Sequence, residues 1–523
     1  MKRFRKADII ITSVFLLLIL AAVLFSFIGK GSSGRAMTLQ NVSGLSDFEG
    51  KTIGVQTGTI FDKMVEDKIS GVKIKYFNNY TDMMSALESG IIDAFAGDEP
   101  TVKYMRSQGR DVDTLPQYLD EYDFGFVFSK NEHGKYLCGQ FSSYVDSARE
   151  NGELKSIDEK WFGKDDSVRV PPDLDSLDGD NGVLELATEA LAAPFCYVQD
   201  GEILGYDIDV AFNFCKQYGY KLKINDMNFD AIIPSVSTGK TDFGCSMISI
   251  TEERKESVDF SSSTYNGGSV LAVLDEETAR SIEKNKTFFG SIKESFEKNF
   301  IRESRYKLIL EGIGTTLLIT SLAAVFGTLI AFLICLFRRV NSVLAGRICN
   351  FYVKLMQGTP IVVFLMILYY VVFGNSGLSS IWVAVIGFSF NFGAYASEIM
   401  RSGIESIDPG QREAALALGF TENQTFFRFI FPQAAVRFLP VYRGELISML
   451  KNTSIVGYIA IQDLTKMSDI IRSRTYEAFF PLIVTALIYF IIAWVITLLI
   501  TTALNRIDPK KRKRKVKGVN VNE

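Results

Sequence analysis

The residues best placed for chemistry are charged groups that grip small ions, rather than a catalytic set. Arg254 follows Ser249-Ile250-Thr251-Glu252-Glu253, at the head of a short helix. A planar guanidinium binds a carboxylate through two parallel hydrogen bonds. The N–H groups of a helix start favour the same anion, and Ser249 adds a hydroxyl and an N–H. The one histidine, His133, lies in the polar turn Asn131-Glu132-His133-Gly134, so no histidine triad forms. Six cysteines show no C-x-x-C spacing. That argues against a metal cluster and leaves a Cys196–Cys245 disulfide open. A phosphate-cradling loop needs G-x-x-x-x-G-K-[ST]. Gly50-Lys51-Thr52 has its upstream glycine at 44, one residue too far, and Gly239-Lys240-Thr241 has Pro234 where glycine is required. The chain therefore reads as a non-enzyme with no cofactor, and any ATP hydrolysis falls to a separate chain.

A second constellation runs from Glu413 to Pro432, between two apolar segments. It reads E-A-A-L-A-L-G-F-T-E-N-Q-T-F-F-R-F-I-F-P: an amphipathic helix, a break at Gly419, and a second helix ending at proline. Between membrane spans such a unit lies at the membrane surface, open to a soluble partner.

The chain has 523 residues, is 47% apolar and carries a net charge of −4. Its mean hydropathy of +0.15 exceeds that of an ordinary soluble enzyme. The length implies several domains, and the charge gives no reason to expect nucleic acid. Ile9–Ile28 is an apolar run of about 20 residues behind a basic N-terminus, so 1–35 reads as a membrane anchor or signal segment. Further spans are expected near 311–337, 358–374, 381–400, 435–460 and 480–504. Arg338, Arg339, Arg347 and Lys354 put the loop after the first of these in the cytoplasm. Counting spans then places 36–280 outside the cell. It places the loop 402–434 and the basic tail 509–523 inside.

Strand–helix alternation fills 36–280 and argues an α/β fold with mainly parallel sheets. The runs A-P-F-C-Y-V-Q-D-G-E-I-L-G-Y-D-I-D-V-A (193–211) and S-M-I-S-I-T-E-E-R-K-E-S-V-D-F-S (246–261) resemble the opening lobe of polar amino-acid binding proteins. That family has a two-lobed, periplasmic-binding-protein-like type II flytrap. G-K-T-I-G-V-Q-T-G-T (50–59), A-L-E-S-G-I-I-D-A-F-A-G-D-E-P (86–100) and E-K-W-F-G (159–163) resemble its closing lobe. The lobes come in reversed order, which reads as a circular permutation with 164–182 joining the old ends. Two broken tandem copies are the alternative. The lobes divide as 45–128 (closing), 130–165 with 183–262 (opening), and a hinge strand at 265–274.

The rest resembles an ABC importer permease fused to that domain. Glu413-Ala414-Ala415, then Gly419 and the aromatic-Pro end, resemble the permease loop that docks on the ATPase. Gln357-Gly358-Thr359-Pro360, Ala394–Ile404 and Lys451-Asn452-Thr453-Ser454 resemble further permease motifs. This gives a linker helix at 281–307 and an all-α, multi-span permease at 308–508. The resemblance assigns the ligand α-carboxylate to Arg254 and Ser249 and its ammonium to Asp98. It assigns closing-lobe contacts to Gln56, Thr59 and Ile60, an apolar wall to Phe195, and side-chain contacts to Glu189, with Met247 in the same set. Glu398, Arg401, Arg443, Glu445 and Lys451 lie in or near spans, where unpaired charge is costly. Of these, Arg443, Glu445 and Lys451 are expected to border the translocation path. The implied function is capture and import of a polar amino acid at the bacterial plasma membrane. The implied partners are a cytoplasmic ABC ATPase and a second copy of the chain. An amino-acid-gated channel or a membrane sensor built on the same flytrap is the competing reading.

Overall fold

The computed structural model describes residues 37–110, 112–163, 165–275, 295–339, 343–374, 376–475, 477 and 479–507. The expected N-terminal membrane segment, most of the linker helix and the basic tail lie outside the described residues. Two compact units emerge. The first runs to Leu310 and takes in Lys466–Val484; the second holds Glu311–Thr465 and the chain from Thr485.

In the first unit, β1 (Thr52–Gln56), β2 (Lys73–Phe77), β3 (Ala94–Asp98) and β4 (Val112–Phe124) alternate with helices Phe61–Lys68, Tyr80–Glu88 and Glu99–Ser107. After β5 (Val127–Phe128) come helices Glu132–Glu150 and Glu153–Phe162. β6 (Val183–Thr188) precedes a small meander of β7 (Leu191–Ala192), β8 (Cys196–Gln199) and β9 (Glu202–Leu204). Helix Tyr206–Tyr218, β10 (Lys221–Asp226), helix Phe229–Ser237, β11 (Phe243–Gly244), helix Glu252–Lys255, β12 (Asp259–Phe260) and β13 (Tyr265–Leu274) complete the unit's α/β part.

These strands form two five-stranded sheets, β2-β1-β3-β13-β4 and β10-β6-β11-β5-β12. Each is the floor of one lobe. The central strands explain themselves. β3 is buried along its whole length, as a parallel strand covered on both faces must be. β2 sits at an edge and exposes Lys73 and Lys75, charges that discourage edge-to-edge pairing. The chain passes between the lobes twice, at Gly125-Phe126 and at 261–264. The two crossings bond to each other, Ser261 N–H to Phe126 O (2.9 Å) and Thr264 N–H to Phe124 O (2.9 Å). The second lobe is filled by packed rings, including Phe126–Phe141 (4.5 Å, tilted) and Phe128–Phe243 (5.8 Å, stacked). Each fully buried ring contributes about 2–3 kcal/mol. Cys196 and Cys245 are free thiols, and both contact the Thr188 hydroxyl.

The second unit is helical. Helix Tyr306–Arg339 is followed by Val343–Gly358 and Ile361–Val372, which bend by 106° at the break before Ile361. Pro360 explains the break, since it has no N–H and clashes with a preceding helical turn. Helix Ser380–Glu405 is the buried centre. Arg338 pairs with Glu398 at 2.6 Å, and Arg401 bridges Glu398 and Glu405. Of the charges expected near the spans, Glu398 and Arg401 thus neutralise one another. Three described helices are long and apolar enough to cross a membrane, or four if the bent pair counts as one span. The span expected at 435–460 is not among them. Helix Phe431–Asn452 holds Arg437, Arg443, Glu445 and Lys451, encloses Pro440, and gives way to a tight turn at Thr453–Ile459.

The sequence division placed 466–484 inside the permease, whereas it packs with the first unit. The sequence also led us to expect one linker helix to 307. Among its described residues the chain instead breaks at Glu303, which adopts φ +53°, and helix Tyr306–Arg339 starts at Tyr306.

Gly97 shows how β3 shapes the site beside it. A Cβ there would lie 2.7 Å from Cε1 of Tyr80. The Gly97→Ala variant is expected to lose about 1–3 kcal/mol of stability, as overpacked cores do. Denaturant unfolding checks this, and Gly109→Ala, whose site is open, supplies the strain-only comparison.

Candidate ligand site

Arg254 is set by its helix. Thr251 caps the turn Glu252–Lys255 by accepting the Arg254 N–H, which turns the guanidinium into the cleft. One guanidinium nitrogen donates to Ser249 O and the other to Gly58 O, each at 2.9 Å. Gly58 belongs to the other lobe, so this side chain already spans the cleft. Among the described residues no ion pair with Glu252 or Asp259 competes for it; Glu252 pairs with Lys255 and Asp259 with Lys130.

Asp98 ends β3 and precedes helix Glu99–Ser107 without capping it through its side chain. Its carboxylate instead accepts the hydroxyls of Tyr80 (2.9 Å) and Tyr122 (2.6 Å). Burial pushes the group up to about 6, while the two hydroxyls and Arg254 pull the other way. Glu189 follows β6 and accepts Gln56 Nε2 at 3.0 Å and the Phe229 N–H at 3.2 Å. Burial pushes it up to about 7, opposed first by Lys466. Gln56 also donates to Asn78 O at 3.2 Å, which holds its amide toward Glu189. Thr59 donates its hydroxyl to Gln56 O at 2.7 Å, closing the turn that leads to Gly58.

Seven expected residues line one enclosed space: Gln56, Thr59, Asp98, Glu189, Met247, Ser249 and Arg254. Phe61, Ala192, Phe229 and Ser246 join them. The space is about 10 Å³, near the limit for a single water. The lobes must therefore part to admit anything larger. Two expected residues stand apart. Phe195 is fully buried between Phe124, Tyr206 and Tyr265, and the rings that line the space are those of Phe61 and Phe229. Ile60 starts the helix behind the turn, its carbonyl accepting the Met64 N–H.

Sequence reasoning missed Asp207. Its carboxylate accepts the Met247 N–H at 3.2 Å and is also bonded to the Ser246 backbone. Ser246 and Met247 both have positive φ, 137° and 51°, a backbone that must be held in place. Lys466 was also missed and reaches this region from about 240 residues downstream of Asp226.

In the second unit the helix Pro409–Ala417 is capped by Asp408. It ends at Leu418, and Gly419 takes φ +86°, which favours glycine. Thr421 and Gln424 then form a capping box for the next turn. Arg412 pairs with Glu422 across the break, and Phe420 packs on Phe429 at 4.9 Å. Glu413, Ala414, Leu418 and Gly419 are exposed while Ala415 is buried. Arg443, Glu445 and Lys451 share one helix but not one face. At 100° per residue Glu445 lies about 200° round from Arg443. Arg443 bonds to Thr501, and Lys451 is exposed.

Residues 184–452 match the profile of the family described as bacterial extracellular solute-binding proteins, family 3. The chain is 35% identical over 191 residues to the arginine transport system permease protein ArtQ of Bacillus subtilis, covering 36% of this chain and 87% of that protein. It is 34% identical over 213 residues to the L-cystine transport system permease protein TcyB of the same organism, covering 40% and 91%. It is 35% identical over 192 residues to a putative glutamine transport system permease protein of Rickettsia felis, covering 36% and 88%. A crystal structure of an amino acid ABC transporter with histidines matches 42% of this chain and 99% of that one, at 32% identity and a TM-score of 0.36.

Asp207 gives a stability test. Its folded value of about 7 exceeds the ordinary 3.8 because burial disfavours the charge. The folded state therefore holds a proton that the unfolded state has lost, so stability falls as pH rises from about 4 to about 7. Asp207→Asn is expected to flatten that part of the unfolding-midpoint profile. Parallel profiles for the two proteins would remove Asp207 as the cause.

Proposed function

The chain belongs to the amino-acid ABC transporters, as a family 3 extracellular solute-binding domain fused to a permease, and on that footing we propose that it captures a polar amino acid outside the cell and passes it through its own membrane half. The carrying observation is that Arg254, Asp98 and Glu189 converge on one space between two lobes. A cation faces the α-carboxylate, an acid faces the ammonium, and a second acid faces the side chain. The lobe order is read as a permutation: β13 pairs with β3 and β4 in the sheet that starts with β1, and two bonded crossings join the lobes. The relatives named for arginine and glutamine import support a ligand whose side chain carries N–H donors.

Hydrolysis of ATP is assigned to a separate cytoplasmic chain. Its contact is the Glu413–Gly419 elbow, where exposed Glu413 and Ala414 and a protruding Leu418 present a small, partly apolar surface. A homodimer is proposed to enclose the path, with Arg443, Glu445 and Lys451 bordering it. The binding domain is assigned to the outside, and the 402–434 loop and the basic tail to the cytoplasm. In proteoliposomes containing the ATPase, wild type is expected to take up a radiolabelled amino acid only with ATP. Arg254→Ala should lower ligand affinity by 100-fold or more, an effect typical of losing a buried charge-assisted pair, about 3 kcal/mol. Gly419→Val should keep affinity and lose uptake. ATP-independent flux in wild type would instead indicate a channel.

A further inference from the structure

Helix Leu464–Thr475 belongs to the permease stretch of the sequence, yet from Lys466 onward it is built into the ligand-binding unit. It touches both lobes. On the first lobe, Arg472 pairs with Asp82, its carbonyl accepts the Thr81 hydroxyl at 3.3 Å, and Arg474 reaches the Tyr104 hydroxyl. On the second lobe, Arg474 donates to Gln199 at 3.1 Å and lies 4.8 Å over the Tyr197 ring. Met467 and Ile470 are buried in that lobe's core. At the helix start Lys466 is 3% exposed, with Nζ 3.2 Å from Asp226 and 3.4 Å from Met227 O. A buried ammonium needs buried acid partners; the Asp226 oxygen that Lys466 meets also accepts the N–H of Ala190 at 2.9 Å, which ties the ammonium to the backbone next to Glu189.

We propose that Lys466 is a positioning residue for the ligand pocket: from outside the binding domain's own sequence it holds Glu189 as a charged hydrogen-bond acceptor, and so selects ligands whose side chains end in N–H donors. This rests on the import reading above. The geometry gives the reason. Glu189 faces the ligand space with one oxygen on Gln56 and the other on Phe229 N–H, both donors. A charged carboxylate there accepts further donors, such as an amide or a guanidinium, and repels a carboxylate. A protonated one offers its own donor and tolerates a ligand carboxylate. Which state prevails depends on the charges packed round it. Lys466 favours the charged form and Asp226 opposes it. The charges of Asp230 and Asp469 also act on Lys466, and that of Glu189 on Tyr80.

The test is equilibrium binding of glutamine, arginine and glutamate to the full-length chain from pH 5.5 to 8.5. In wild type the preference for glutamine over glutamate should rise with pH, with its midpoint near the Glu189 value of about 7. Lys466→Met should move that midpoint up by about one pH unit. Asp226→Asn, which keeps an oxygen for the Ala190 N–H, should move it down. Lys466→Arg should restore it, and Glu189→Gln should give a flat ratio in either background. An unchanged midpoint in Lys466→Met, or an unmoved one in Asp226→Asn should the lysine variant not fold, would overturn the role of Lys466 alone. A wild type that binds none of the three overturns the import reading and this one with it.

Discussion

Everything in the ligand-binding unit depends on keeping charge in a cleft that excludes water. Asp98, Glu189 and Asp207 are each 5% exposed or less, and a carboxylate there is costly unless donors meet it. The protein meets them with two tyrosine hydroxyls at Asp98, an amide and a backbone N–H at Glu189, and backbone N–H groups at Asp207. One of these bonds and three further contacts cross from one lobe to the other. Gln56 reaches Glu189, Arg254 reaches Gly58, Thr101 reaches Met247, and Lys63 pairs with Glu253 at the rim. Closure thus completes the partners of Glu189 and Arg254, whereas Asp98 and Asp207 are satisfied within their own lobes. A ligand with its own ammonium and carboxylate can replace the bonds that the lobes make with each other.

The same logic links the two parts of the sequence. The segment Lys466–Val484 returns to the first unit between helices of the second. Its basic residues seek the acids of both lobes. The chain continues from it into the apolar helix Phe479–Ile507, so a change at the cleft has a covalent route toward the membrane helices. At the other end, the Gly419 elbow exposes small side chains on a rigid, doubly capped frame. That is what a surface needs if it must transmit a push rather than absorb it.

How much was legible varies by residue, for physical reasons. The placement of Arg254 in the cleft could be read because it is set locally: a helix head, a capping threonine and a serine five residues back. Asp98 and Glu189 could be read because strand ends point residues into a cleft. Phe195 misled, because an apolar residue beside Pro194 satisfies the sequence pattern whichever way its ring turns. The ring turned into the aromatic core. Asp207 hides in the pattern Asp-Ile-Asp of an ordinary helix, and its job is visible only once Ser246 and Met247 adopt positive φ. Lys466 pairs with an acid about 240 residues away, beyond any local pattern. Helix Phe431–Asn452 is hard to read as a span from sequence, because four charges and an internal proline interrupt its apolar residues.

The most direct test of the account is the distance between residues 63 and 253, which meet across the cleft as an ion pair. Spin labels at these positions in the full-length chain report lobe separation. The account predicts a broad, longer distance without ligand and a short, narrow one when the transported amino acid is added. A distance distribution that no amino acid alters would contradict it.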